Sequence, residues 1–263
     1  MNSLAAKRRH PSAVLVVLFV GLCLTGVVYS IVGSATAAGA TPQQASQTQI
    51  ERGKELFLEG CASCHGIGAQ GTANGPTLVG VGAAAVDFQV STGRMPLAAP
   101  GGQAKRKPPQ YTEEETAALA AFVATLGPGP EIPSESDLNF ADADLAKGGD
   151  LFRTNCTQCH NFAGVGGALS NGAYAPGLDE ATPKQIWEAM VTGPQSMPVF
   201  SNSTLTPDDK RKILKYIEYV RSSPNPGGLD LGRLGPVTEG LALFTVGFGV
   251  LIGVAIWIGA RAK

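Results

Sequence analysis

Two long apolar stretches frame a mixed central region. Residues 13–32 contain 16 apolar residues in 20 and no charge, and residues 241–260 contain 15 in 20, again without charge. Each stretch is long enough to cross a hydrocarbon layer of about 30 Å as a single helix. We therefore predict a transmembrane helix at each end of the chain, with a water-exposed region between them.

Basic residues flank both apolar stretches on their outer sides. Lys7, Arg8 and Arg9 precede the first stretch, and Arg261 and Lys263 follow the second. Because positively charged flanks stay in the cytoplasm, the pattern predicts a multi-pass protein of the cell membrane with its central region on the extracytoplasmic side. Small residues after the first stretch also fit a cleavable signal peptide, although its length favours a retained helix.

The composition divides the chain into segments of different character. The net charge of −1 excludes the class of strongly basic nucleic-acid binders. The charge is unevenly distributed, because one linker alone carries −4. We expect proline and repulsion between charges to keep this linker extended, with steering of a basic partner as the alternative role of its acidity. The segments are a tail with the first helix (1–39), a first domain (40–126), the acidic Pro/Gly linker (127–143), a second domain (144–222), a second linker (223–239), the C-terminal helix (240–260) and a short tail (261–263).

The central region contains an internal repeat, in which GKELFLEGCASCHG recurs 95 positions later as GGDLFRTNCTQCHN. A helical pattern closes each copy. Thr112 and Glu115 predict a capping box in the first copy, and Thr206 followed by Pro207 predicts a helix start in the second. Each copy is thus predicted to be a small, mostly helical domain with an opening and a closing helix.

The opening and closing helices are predicted to pack on each other in both copies. The repeated glycines, Gly53 and Gly148, permit a close approach of two helix backbones. Aromatic residues supply the predicted contacts, which are Phe57 on Phe122 and Phe152 on Tyr216.

The Cys-x-x-Cys-His motif in each copy predicts covalently bound haem c. Two thiols add across the two vinyl groups of one porphyrin, and the adjacent His becomes an axial ligand of the iron. A zinc site needs the paired cysteines but not the adjoining His, so one zinc shared by both pairs stays a minor alternative. We predict two haem c groups, with attachment at Cys61, Cys64, Cys156 and Cys159 and axial ligation by His65 and His160.

The sixth ligand of each iron is predicted to be methionine. The chain has three His, and His10 lies in the predicted cytoplasmic tail, so no His is left for this position. Met95 and Met197 occupy matching places in the repeat, each before a proline that restricts its backbone. Ligation by Met and His raises the reduction potential. We predict Met95 and Met197 as axial ligands, and Met190 as a core residue.

The remaining candidate residues would orient the haem ligands or contact a partner, and none indicates substrate chemistry. A ligating His usually donates its second N–H to a fixed acceptor, and the repeat suggests the carbonyls of Pro76 and Pro176. No exported His, Cys or evident acid–base pair remains, so we expect no catalytic residue and no independent substrate site. The basic run 105–107 is interpreted as a solvated loop, with docking to an acidic partner as the alternative.

The motifs CASCH with Met95 and CTQCH with Met197 resemble class I cytochrome c domains. The order of apolar segment, two such domains and C-terminal anchor resembles the dihaem cytochrome c subunit (cytochrome cc) of the actinobacterial menaquinol–cytochrome c reductase, the bc1 complex. The implied fold is mostly α, with two tandem class I cytochrome c domains between two transmembrane helices.

The resemblance also implies a place in the respiratory chain. The subunit would relay single electrons within a proton-translocating complex, from the Rieske iron–sulfur subunit to an aa3-type terminal oxidase, with cytochrome b as a further partner. Two alternatives stay open. One is the dihaem subunit of a cbb3-type oxidase, which normally has a single N-terminal anchor, and the other is a dihaem oxidoreductase acting on a small molecule such as thiosulfate.

Overall fold

The computed structural model describes residues 12–37, 45–99, 101–223 and 236–261 and is mostly helical. It consists of two compact units, Met1–Ser46 and Gln47–Lys263. The first unit contains helix α1 (Ser12–Ala37), and the second ends in helix α11 (Pro236–Arg261).

The terminal helices differ in how well they meet the requirements for a membrane span. Within the described residues, Gly240–Arg261 is the one stretch long and apolar enough to cross a membrane, with 22 residues, whereas the apolar helical stretch Leu15–Val27 is shorter. The predicted C-terminal span therefore fits by length and composition, and two crossings stay a prediction.

The first haem-motif domain is built on a pair of packed helices. Its helices are α2 (Gln47–Gly60), α3 (Ala62–His65), α4 (Gly82–Ser91) and α5 (Glu113–Ala124). The capping box predicted from Thr112 and Glu115 is confirmed at the start of α5. Helix α2 packs on α5 so closely that a Cβ at Gly53 would collide with the Ala118 carbonyl, and the Phe57 and Phe122 rings lie 5.3 Å apart.

The second domain repeats this plan and adds a small hairpin. The elements are α7 (Leu145–Asn155), α8 (Thr157–His160), β1 (Gly167–Ala168), a 3-10 turn (Ser170–Gly172), β2 (Tyr174–Ala175), α9 (Pro183–Thr192) and α10 (Pro207–Ser222). Strands β1 and β2 pair antiparallel, and this hairpin lies where the first copy has a single bridge between Thr72 and Gly75. Phe152 and Tyr216 have ring centroids 5.3 Å apart, as predicted.

Each domain has its own hydrophobic core. Phe57 and Leu119 are central to the first, and Phe152, Trp187 and Met190 belong to the second. Met190 is 2% exposed, so its predicted role as a core residue is confirmed.

The linker between the domains is not the extended chain that its composition predicts. Ser134 caps a short helix, α6 (Glu135–Leu138), and Leu138 and Phe140 pack against the second core. The Pro130 carbonyl accepts a hydrogen bond of 3.1 Å from the Ala84 amide of the first domain. The prediction was wrong because burial of these two apolar side chains outweighs the repulsion between exposed acids.

Candidate haem sites

Each Cys-x-x-Cys-His motif is folded as one helical turn that continues from the opening helix. The His65 amide donates to the Cys61 carbonyl at 2.9 Å, and the His160 amide donates to the Cys156 carbonyl at the same distance. Residues at positions i, i+3 and i+4 share one face of a helix. The turn therefore presents two thiols and one imidazole on the same side of the chain in both copies.

A backbone carbonyl fixes each histidine ring. The His65 Nδ1 atom lies 2.7 Å from the Pro76 oxygen, and the His160 Nδ1 atom lies 2.9 Å from the Pro176 oxygen. A carbonyl only accepts, so Nδ1 carries the proton and Nε2 is left as the nitrogen available to a metal. The predicted roles of both proline carbonyls as acceptors are confirmed.

Two glycines that sequence reasoning did not single out hold these carbonyls close. Gly71 and Gly166 have φ of 87° and 88°, and each amide donates to the carbonyl of the preceding motif histidine at 2.8 and 2.9 Å. A Cβ at either position would lie within 3.0 Å of the carbonyl carbon of Pro76 or Pro176. Their separation of 95 residues, the spacing of the motifs themselves, is the signal that identifies them in the sequence.

The candidate methionines lie just beyond helix ends. Helix α4 ends at Ser91, and the chain turns through Gly93 with φ 65° before the Met95 amide donates to the Gln89 carbonyl at 2.9 Å. Helix α9 ends at Thr192, and the chain then turns at Gly193 with φ 59°. Glycine permits this left-handed turn without steric cost, so both chain reversals follow from the shared Thr-Gly.

Each candidate methionine packs against the same core as a cysteine of its own motif. Cys61 and Met95 contact the first core, while Cys156 and Met197 contact the second. The described structure thus combines free thiols, an imidazole with Nε2 available and a soft thioether around an apolar interior in each domain. This donor set fits a haem c group, which needs two thiols for attachment and one nitrogen and one sulfur ligand for its iron.

Burial shapes the acid–base behaviour of the motif side chains. It raises the pKa of the Cys61 thiol and raises that of Cys156 to about 12, in each case with a smaller contribution from the second cysteine. Burial also lowers the pKa of His160, while its hydrogen bond to the Pro176 carbonyl opposes that shift. Burial thus favours the neutral forms of Cys61, Cys156 and His160, as it does for thiols and imidazoles in general.

The structure bears on the shared zinc site and on the solvated basic loop considered from the sequence. In the described part of the chain, which includes all four motif cysteines, no cluster of three or more His, Cys, Asp or Glu could hold a metal ion. The two pairs therefore do not form the shared zinc site.

The basic run 105–107 is not wholly solvated, because Lys107 is partly buried and its Nζ donates to the Pro96 carbonyl at 2.9 Å.

Comparison with known families assigns both domains. The family described as Cytochrome c matches residues 50–127, and the family described as Cytochrome C oxidase, cbb3-type, subunit III matches residues 143–217. Together with the two motifs, these matches define the class: the chain is a c-type cytochrome with two tandem cytochrome c domains, for which covalently bound haem c is indicated.

Relatives that span almost the whole chain narrow the class further. The chain is 46% identical to the "Cytochrome bc1 complex cytochrome c subunit" of Corynebacterium diphtheriae, over 97% of this chain and 96% of that protein. It therefore belongs to the family of cytochrome bc1 complex cytochrome c subunits, as the resemblance in the sequence predicted. It is also 44% identical to the proteins of that name from Corynebacterium efficiens and Mycobacterium tuberculosis. These matches cover 97% and 94% of this chain and 91% and 90% of those proteins, respectively.

Membership in this family gives the chain an electron-transfer role as a cytochrome c subunit and is consistent with membrane association. It also decides against the cbb3-type alternative for the whole chain, because the cbb3 match covers the second domain alone.

Proposed function

We propose that the chain carries two haem c groups and relays single electrons between them within the bc1 complex. Cys61 and Cys64 attach one group, and the equivalent pair, Cys156 and Cys159, attaches the other. The carrying observation is the pair of matching hydrogen bonds from His Nδ1 to a proline carbonyl, which leaves Nε2 available in both domains. A bound haem c supplies reversible one-electron chemistry; the protein supplies its orientation and environment.

The axial ligands in this proposal are His65 with Met95 and His160 with Met197. The Pro76 and Pro176 carbonyls orient the imidazoles and increase their basicity. The glycine turns before the methionines hold each thioether against the core that its motif cysteine also contacts. A closed sixth position leaves no place for a small substrate, which is why we propose no independent substrate site and no catalytic residue.

The proposed electron donor is the Rieske iron–sulfur subunit, and the proposed acceptor is an aa3-type oxidase. Support comes from the named bc1 relatives and from the architecture, in which two domains of the same class follow one another in a single chain. A second haem domain would take the place of a mobile carrier between the two complexes. Cytochrome b is the further partner in this assembly.

We also propose that both terminal helices cross the membrane and that the haem domains lie outside the cytoplasm. The support is the basic flank at each end and the apolar length of Gly240–Arg261. Mass spectrometry of the mature chain tests the first crossing. An intact N-terminus supports it, and a chain that begins near residue 39 replaces it with a signal peptide.

The relay is tested by purification from membranes through a C-terminal tag, followed by rapid reduction with a menaquinol. We expect cytochrome b and the Rieske subunit to be recovered, two equivalents of haem c to be reduced and an aa3-type oxidase to oxidise them. Recovery of a haem–copper oxidase without cytochrome b, or a single equivalent of reducible haem c, would contradict the proposal.

A further inference from the structure

One of the contacts between the two cytochrome domains is made by a segment that only the first copy contains. The first copy has 17 residues between Met95 and the start of α5 at Glu113, whereas the second has nine between Met197 and the start of α10 at Pro207. Within the extra length lie residues 101–107, which we call the interdomain strap. The basic run of the sequence forms its end.

The strap is joined to the second domain by two glutamines that act in opposite directions. Gln103 of the strap donates from Nε2 to the Tyr174 carbonyl at 2.6 Å and accepts from the Tyr174 amide at 3.1 Å. Gln195 of the second domain donates to the Ala104 carbonyl at 3.0 Å and accepts from the Ala104 amide at 3.1 Å. Each carboxamide thus pairs with both backbone groups of one residue, as a neighbouring strand would.

These contacts lie next to the candidate ligands of the second domain on both sides. Gln195 precedes Met197 by two residues, in a turn where its own φ is 58°. Tyr174 precedes Pro176 by two residues, and the Pro176 carbonyl is the one that fixes His160. The strap therefore contacts the methionine loop and the loop that orients the histidine.

The other end of the strap is fixed to the methionine loop of the first domain. The Lys107 amide donates to the Thr92 carbonyl at 3.2 Å, and its Nζ donates to the Pro96 carbonyl at 2.9 Å. A Cβ at Gly93 would collide with the Lys107 carbonyl, so the two backbones are in close contact. The strap, which is hydrogen-bonded at both ends, thus joins the Met95 loop to the Met197 loop.

We propose that the interdomain strap, through Gln103 and Gln195, is a positioning element that sets the spacing of the two haem groups and thereby the rate of electron transfer between them. The inference rests on the proposed function, because it requires two haem groups ligated as described. Its physical basis is that four hydrogen bonds between backbone and carboxamide fix one domain relative to the other at the level of the ligand loops. Neither glutamine ligates iron, so both act through the loops they hold.

The test uses Gln103→Ala and Gln195→Glu, singly and together, in the bc1 complex purified with the full chain. Gln195→Glu keeps the size of the side chain and its acceptor, but it places a carboxylate oxygen against the Ala104 carbonyl. Lys105→Ala is the matched control, since Lys105 is exposed on the same strap and its charge is removed without loss of a carboxamide.

The first readout is amide hydrogen exchange in peptides that contain Ala104 and Tyr174. Each glutamine contributes two hydrogen bonds of ordinary strength, so its loss should speed exchange on the order of tenfold. Because the strap acts as one unit, Gln103→Ala should also speed exchange at Ala104, whose amide is held by Gln195. An effect confined to Tyr174 would overturn that joint role.

The second readout is the distance distribution between the two oxidised haem groups by pulsed electron paramagnetic resonance, with the rate of transfer between them after photoreduction. In the double variant we expect a broader distribution and a rate at least several-fold lower, with unchanged reduction potentials and unchanged near-infrared Met–Fe bands. Wild-type distance and rate in the double variant would overturn the inference while leaving the proposed function intact. Absence of the bands or of transfer in the wild type would instead overturn the proposed function.

Discussion

Glu188 in α9 of the second domain lies against Asp87 in α4 of the first, and both carboxyl groups are buried. Glu188 is 0% exposed and Asp87 is 6% exposed. Lys184 is the neighbouring cation, with its Nζ 2.7 Å from Asp87 and 4.0 Å from Glu188. Two buried carboxylates with one lysine carry an excess negative charge, and a proton on Glu188 removes it.

This acid pair predicts that stability declines as the pH rises. Burial, with a further contribution from Asp87, raises the pKa of Glu188 from 4.5 to about 9. An acid whose pKa is higher in the folded state contributes stability that is fully present below its unfolded value, here 4.5, and is lost as the pH rises through about 9. Glu188→Gln keeps a donor to Asp87 but does not titrate.

We expect Glu188→Gln to flatten the pH dependence of thermal unfolding and to stabilise the full chain by a few kcal/mol at the alkaline end of this range. Circular dichroism of the purified chain in detergent measures the midpoint across the range. Glu180→Gln, a change of an exposed acid in the same domain, is the control and should keep the wild-type slope. The same slope in Glu188→Gln would refute a protonated Glu188 at this interface.

The close contact between opening and closing helices predicts a steric cost at Gly53. A Cβ there would meet the Ala118 carbonyl and the Phe122 side chain. Gly53→Ala should therefore destabilise the first domain by about 1–3 kcal/mol, the usual cost of overpacking. Gly102→Ala is the control because a Cβ at that position has no neighbour within 4 Å. Equal midpoints for the two variants in thermal unfolding would contradict this steric cost, because they would mean that the two helices can move apart to accept the added methyl group.

The glycines that hold the proline carbonyls predict an effect on a single haem. Gly166→Ala should push the Pro176 carbonyl away from His160, because the new Cβ would lie 2.9 Å from the carbonyl carbon. A weaker hydrogen bond lowers the basicity of the imidazole and favours reduced iron. We expect a higher potential for the second haem alone in a potentiometric titration, and Gly71→Ala should affect the first haem alone. A shift of both potentials by either variant would contradict this local role.

Local features of the fold were predictable because their signals lie within a few residues or recur in the repeat. The capping box at Thr112, the helix start at Thr206 and the burial of Met190 belong to this group. The Pro76 and Pro176 carbonyls were found by register between the copies, although five extra residues lengthen the second loop. The two apolar termini were equally visible as long uncharged runs.

Features that depend on contacts between the copies were not predictable from one sequence. Asp87 and Glu188 are separated by 101 positions. Taken alone, each has the sequence context of a solvent-exposed acidic residue in a helix. Gln103 and Gln195 bond to backbone groups. Every residue type has a backbone carbonyl, and all but proline have an amide N–H, so the sequence does not indicate which residues these glutamines contact. The linker prediction was wrong for a related reason. Proline content and charge indicated an extended chain, whereas Leu138 and Phe140 pack against the core of the second domain.

The central claim is that Met95 and Met197 each complete the ligation of one haem. The most direct measurement is the near-infrared Met–Fe band of the oxidised full chain, recorded for the wild type, Met95→Ala, Met197→Ala and the core variant Met190→Leu. We predict two equivalents of the band in the wild type and in Met190→Leu, and one in each alanine variant, with a lower potential for the affected haem. A wild-type chain that lacks the band, or an alanine variant that keeps both equivalents, would contradict the claim.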